Sequence, residues 1–213
     1  MKGAVGFLHA GEKSQEAAVA VLAKRGKESS AVHLVDATLV DASATEFPID
    51  AERYAKLRAR AEELATRAER IVLSCSVYNE AARWLSDDLG IRVDRSDAAG
   101  ARALLRTSGP VGILVSFPPT RPVVVDYVSE VLASEEQDRE IRASVTEDAP
   151  PFSTPDDVYR GALVDALRPL QGCGVLFLSQ FTMDVWIEQI REVWGSAPIV
   201  SAVEATIAEL FGD

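Results

Sequence analysis

Residues 71–79, Ile71-Val72-Leu73-Ser74-Cys75-Ser76-Val77-Tyr78-Asn79, change character halfway. Three large apolar residues give way to a small polar corner. Asn79, a good helix cap, then opens an amphipathic segment. An apolar run of strand length that stops at small polar residues and passes into helical periodicity is the signature of a strand-to-helix turn. The corner also carries a cysteine. A thiol there, beneath a helix start, has the setting of a working acid or base, or of a small buried residue.

Working outward, the same alternation fills the chain. Strands are expected at 4–9, 31–36, 71–74 and 91–93, then at 111–115, 140–145, 174–178 and 198–200. Helices are expected at 13–25, after the Asp50 cap, at 79–88, at 120–133, from Thr154-Pro155 onward, at 182–194 and at the C-terminus. Tyr54, Leu57, Ala61, Leu64 and Ala68 share one face of the second helix. Alternating strands and helices call for parallel sheets with helical crossovers, an α/β fold. Ser108-Gly109-Pro110 breaks the chain near its middle. Leu178-Ser179-Gln180-Phe181 matches Leu73-Ser74-Cys75-Ser76 at about half the chain's length, as two similar halves would. The halves are assigned to 1–95 and 96–201, with a closing helix at about 202–213 that is free to pack back on the first.

Composition narrows the function. The chain has 213 residues, 47% of them hydrophobic, enough for a packed core. Its net charge is −11 and no basic cluster appears. That argues against nucleic acid and an anionic membrane surface as partners. No apolar run approaches the ~18 residues of a membrane span, and the N-terminal one is too short for a signal core. Two cysteines without an export signal point to the cytoplasm and free thiols.

Cofactor motifs fail. Gly6 to Ser14 nearly spells a phosphate loop, but Glu12 pushes Lys13 out of register and sets a carboxylate where phosphates would lie. His9 and His33 lie on separate strands, and no CxxC, GxSxG or GxGxxG occurs. Neither a metal nor another cofactor is expected. Cys173 opens the strand that Gln180 closes, some seven residues or about 23 Å away, so it is read as structural.

Ligands of open α/β sheets gather at the carboxyl ends of strands. There the sequence places His9, Ser74-Cys75-Ser76, Ser116 to Thr120, and Ser179 to Thr182. Ser116, Thr120 and Thr182 are read either as helix caps or as ligand groups. Asp36 is read as holding a loop. Val185, Trp186, Ile190 and Trp194 suit a core or a subunit interface better than a pocket, which leaves a homo-oligomer open.

These segments, in this order, resemble the aspartate/glutamate/hydantoin racemase superfamily. The resemblance rests on Gly6-Phe7-Leu8-His9, Val32 to Asp36 with Thr38-Leu39, the Leu73–Ser76 corner, Gly112 to Ser116 leading to Thr120, Leu178 to Met183, and Ala197 to Ser201. It implies two pseudo-symmetric parallel-sheet halves with a site in the cleft between them. It also implies cofactor-independent proton transfer alpha to a carboxylate or carbonyl of a small acid, by one cysteine from each half. Carried over by position, Cys75 is the catalytic acid/base. His9, Ser76, Asn79, Ser116, Thr120, Gln180 and Thr182 bind substrate. The departure is Gln180, which stands where the family has its second cysteine and has no proton to give near neutral pH. The readings that follow are a one-sided acid/base enzyme, an inactive small-carboxylate-binding or regulatory protein, and a one-cysteine decarboxylase.

Overall fold

A computed structural model of the chain describes residues 3–40, 49–146 and 156–212. The chain divides into two units, Met1–Ser96 and Asp97–Asp213. Each is built on a four-stranded, fully parallel sheet.

In the first unit, β1 (Val5–His9) lies between β2 (Ala31–Val35) and β3 (Arg70–Leu73), and β4 (Arg92–Asp94) borders β3. β1 is buried along its whole length and β2 is half-buried, as befits a central and an edge strand. α1 (Glu12–Lys24) contributes Ala17, Ala18, Val21 and Leu22 to the core. α2 (Ala51–Ala65) contributes Leu57, Ala61 and Leu64. Asp50 caps α2 as expected, its Oδ1 accepting from Arg53 N at 2.8 Å. Tyr54, assigned to the same apolar face, is half-buried instead. Its ring meets Trp84 edge-on and its hydroxyl donates to Asp88. α3 (Ala81–Leu89) follows the Cys75 corner and ends at Gly90, whose φ of 64° is the left-handed turn that glycine supplies readily.

The second unit repeats the order. β5 (Val111–Val115) lies between β6 (Ile141–Val145) and β7 (Val175–Leu178), with β8 (Ile199–Ser201) beyond β7. α5 (Arg121–Ser134), α6 (Asp156–Leu167) and α7 (Ile187–Trp194) pack around it. Thr154 and Pro155, read as the start of α6, lie outside the described residues, as does the Pro150-Pro151 interruption. Ile190 and Trp194 are core, Trp186 packs against it, and Val185 is exposed. Cys173 is buried in the same cluster and both cysteines are free thiols.

Two local features differ from the sequence reading. The helix expected at 182–194 begins as a 3-10 stretch, Phe181–Trp186, before α7. A short helix, α4 (Ala98–Leu104), was not anticipated. It packs on the closing helix α8 (Ala202–Phe211), for which the sequence left a return to the first half open, and Arg102 pairs with Glu209 at 2.8 Å. Gly100 makes this approach possible. A Cβ there would stand 2.4 Å from Phe177 Cε2 and 3.4 Å from Ala202 Cα. Phe177 is fully buried and has no room to yield. Gly100→Ala is therefore expected to lower stability by about 1–3 kcal/mol despite alanine's helix propensity, read from urea midpoints.

Candidate functional site

The Cys75 corner sits where β3 ends. Ser74 N still pairs with Leu8 O, continuing the ladder for one residue, and Cys75 then heads a single 3-10 turn, Ser76–Tyr78. Cys75 is partly exposed as a residue, but its thiol lies in a buried setting, with Ser76, Val77, Tyr78 and Asn79 around it buried. Burial pushes its pKa up to about 11. The Val77 backbone N–H and the Arg53 charge pull the other way without winning. The resting species at neutral pH is therefore the thiol, a proton donor. One turn on, Asn79 Oδ1 accepts from Ser96 N at 3.0 Å and Ser96 Oγ at 3.1 Å. Its Nδ2 is buried with no partner among the described residues. A buried amide donor left unpaired costs about 1–3 kcal/mol, so this group is set to meet an acceptor.

The Tyr78 hydroxyl, a conceivable second proton source, donates to Leu39 O in the interior. Arg53 lies 5.8 Å above the Tyr78 ring. Asp36 does hold a loop: it accepts from Thr38 and, at 2.7 Å, from Arg60, which keeps its carboxyl at about 2.

His9, expected to touch substrate, is fully buried under the sheet end. Its Nδ1 lies 2.9 Å from Ser74 Oγ and 3.2 Å from Ser14 Oγ, and its Nε2 lies 2.9 Å from His33 Nδ1. The two imidazoles stack in a column with Phe7. One of the facing nitrogens donates and the other accepts, so a neutral pair is the satisfied state. Burial, and after it the His33 charge, drop His9 to about 3. These bonds tie the end of β1 to Ser74 after β3 and to His33 on β2.

The second unit has an equivalent corner. Gln180 follows β7 as Cys75 follows β3, each at the head of a 3-10 stretch. Ser116 follows β5, and both its N–H and its Oγ–H donate to Gln180 Oε1, the hydroxyl at 2.6 Å. Gln180 Nε2 donates to Thr120 Oγ1 at 3.2 Å, and Thr120 in turn donates to Phe117 O. Thr120 makes no side-chain cap. Thr146 Oγ1 donates to Ser116 O. Tyr159 comes in from α6, its pKa pushed up to about 12 by burial against the opposing pull of the Ser116 and Thr182 hydroxyls.

Within the first unit, Cys75, Ser76 and Asn79 are thus brought together, and His9 turns inward. Within the second, Ser116, Thr120, Gln180 and Thr182 converge. Arg53 and Tyr159 were missed in the sequence. Each lies on a helix whose spacing signals only a core-facing stripe, and nothing local marks its polar end. Among the described residues no group of three or more His, Cys, Asp or Glu could hold a metal ion, and no helix is long and apolar enough to cross a membrane.

Two parallel α/β units with the same strand order and polar corners after corresponding strands define a class of fold. That fold is shared with solved amino-acid and ureide racemases. A glutamate racemase isoform from Bacillus anthracis superposes with a TM-score of 0.76 at 19% identity, over 99% of this chain and 81% of that one. An aspartate racemase from Picrophilus torridus gives 0.70 at 13%, over 98% and 93%. An allantoin racemase from Pseudomonas fluorescens gives 0.64 at 17%, over 97% and 89%. No family model and no curated protein matches the sequence. The chain therefore has the fold of the aspartate, glutamate and allantoin racemases.

Proposed function

We propose that this protein is a cytoplasmic, cofactor-independent enzyme that moves a proton at the carbon alpha to a carboxylate or carbonyl of a small acid, with Cys75 as acid/base. The observation that carries this reading is the free cysteine after β3, partly exposed as a residue and one turn before Asn79, whose buried Nδ2 has no described partner. The racemase fold supports it.

The chemistry follows from the groups present. Removing an α-proton places negative charge on the adjacent carbonyl or carboxylate oxygen. Donors already fixed in place lower the cost of that charge. The Asn79 Nδ2 group is such a donor and Ser76 is a neighbouring polar group. Cys75, protonated at rest, delivers its proton to a carbanion-like carbon, and the thiolate left behind removes one in the reverse direction. With Gln180 at the other corner, no second thiol completes an inversion, so transfer is confined to one face. The reaction is then an isomerisation, a decarboxylation or an unusual racemisation of a small acid.

A second reading rests on that same Gln180: a small-carboxylate-binding or regulatory protein without turnover. Incubation in deuterated water with aspartate, glutamate, hydantoins, allantoin, maleate and arylmalonates separates the two. Deuterium at the α-carbon, isomer formation or carbon dioxide release supports the enzyme. Saturable binding with none of these assigns the protein to the second reading.

A further inference from the structure

An asparagine carboxamide has two ends of nearly the same shape, an oxygen that only accepts and a nitrogen that only donates. A half-turn about the last torsion exchanges them. Which end meets a ligand is therefore set by whatever holds the other. At Asn79 the oxygen is held: it accepts from the Ser96 N–H at 3.0 Å and from the Ser96 hydroxyl at 3.1 Å. Asn79 is 1% exposed and Ser96 is fully buried. Ser96 lies just beyond β4, and the β3–β4 pairing brings that loop beside the corner after β3. The Asn79 N–H donates to Ser76 O, which anchors the residue to the corner itself.

We infer that Ser96 is a positioning residue: its backbone N–H and its hydroxyl hold the Asn79 carboxamide in one orientation and so keep the nitrogen as the donor for a ligand's oxygen. The backbone N–H decides the orientation. A flipped amide would set NH2 against N–H, two donors with no acceptor between them. The hydroxyl, which donates or accepts, would serve either orientation and reinforces the one the N–H selects. Nδ2, the end left over, is buried with no partner among the described residues. The flipped amide would offer an acceptor in its place and repel the oxygen on which charge develops during proton transfer. The assignment deepens the reading of the Cys75 corner and rests on it for the ligand, while the orientation is a property of the resting protein.

One arm of the test needs neither substrate nor variant. In 13C,15N-labelled wild type, the coupling across the hydrogen bond from the Ser96 15N to the Asn79 13Cγ should be present, and its absence would overturn the proposal. The second arm is α-proton exchange on an acid that the protein turns over. Ser96→Ala keeps the N–H and should slow exchange about fivefold, the worth of one hydrogen bond. Asn79→Asp keeps an oxygen for both Ser96 bonds but turns the remaining end from donor to acceptor. It should slow exchange at least about tenfold while the Ser96 amide stays protected from solvent. Adding Ser96→Ala to Asn79→Ala should cost no more than about twofold, because Ser96 acts through Asn79. Additive losses, or an Asn79→Asp protein as active as wild type, would overturn the assignment. Wild type without turnover on any acid counts against the enzyme reading alone, and the coupling then decides the role of Ser96.

Discussion

Cys75→Ser is expected to cut α-proton exchange by at least about a hundredfold, the lower end of what a positioned acid/base contributes. Serine keeps the size and the Val77 N–H contact but has a far weaker acid in place of the thiol. The wild-type rate should also carry the signature of a pKa of about 11. If the thiolate abstracts the proton in the slow step, the rate climbs about tenfold per pH unit from neutrality and levels only near that value. If the thiol donates in the slow step, as in protonation after loss of carbon dioxide, the rate is flat across neutral pH and falls above about 11. The two profiles separate abstraction from donation without a structure of the complex. Binding of substrate by Cys75→Ser should be unchanged within a few-fold, because the donors near it are Asn79 and the backbone.

Acid should weaken the first unit well before its carboxylates are affected. His9 is a base whose folded pKa, about 3, lies below the ordinary 6.5. The unfolded chain therefore takes up a proton below pH 6.5 that the folded chain refuses. Stability from this group is present above 6.5 and is lost as the pH falls, at about 1.4 kcal/mol per pH unit. By pH 5 the loss is about 2 kcal/mol on that slope. His33 is lowered by burial too and adds in the same direction. Asp36, lowered to about 2 from 3.8, has the same sign but acts only below its ordinary value, so the window between 6.5 and 4.5 belongs to the histidines. Urea unfolding across that window should show the slope in wild type. His9→Asn, which keeps a polar group but cannot titrate, should lose most of it. An unchanged slope in His9→Asn would place the buried pair outside the acid response.

Most of the strands were legible as apolar runs bounded by turn residues, and β6 by its alternation of apolar and polar residues. Val111-Gly112-Ile113-Leu114-Val115 is buried at every position, as a central parallel strand must be. α4 was not legible, since Ala98-Ala99-Gly100-Ala101-Arg102-Ala103-Leu104 has almost no large apolar residue to show a period. The 3-10 stretch before α7 was a misread period. Phe181, Asp184 and Ile187 are buried at three-residue spacing, the repeat of a 3-10 helix, and only from Ile187 on do Ile190 and Trp194 take up the α-helical repeat. The pairing of Cys75 with Gln180 as equivalent corners could be read from matching strand ends. What Gln180 touches could not: Ser116 lies 64 residues away, and only the β5–β7 register brings them together. The same holds for His9. Its position at the end of β1 was readable, but its inward turn depends on Ser74 at a separation of 65 residues and on His33 across the β1–β2 pair.

The most direct test of one-sided transfer at Cys75 takes the two enantiomers of any acid the protein turns over and incubates each separately in deuterated water. A single acid/base on one face predicts deuterium entering the α-position of one enantiomer only, with its configuration retained. Inversion of both enantiomers at comparable rates, with solvent deuterium incorporated, would require a second proton carrier and would contradict Cys75 acting alone.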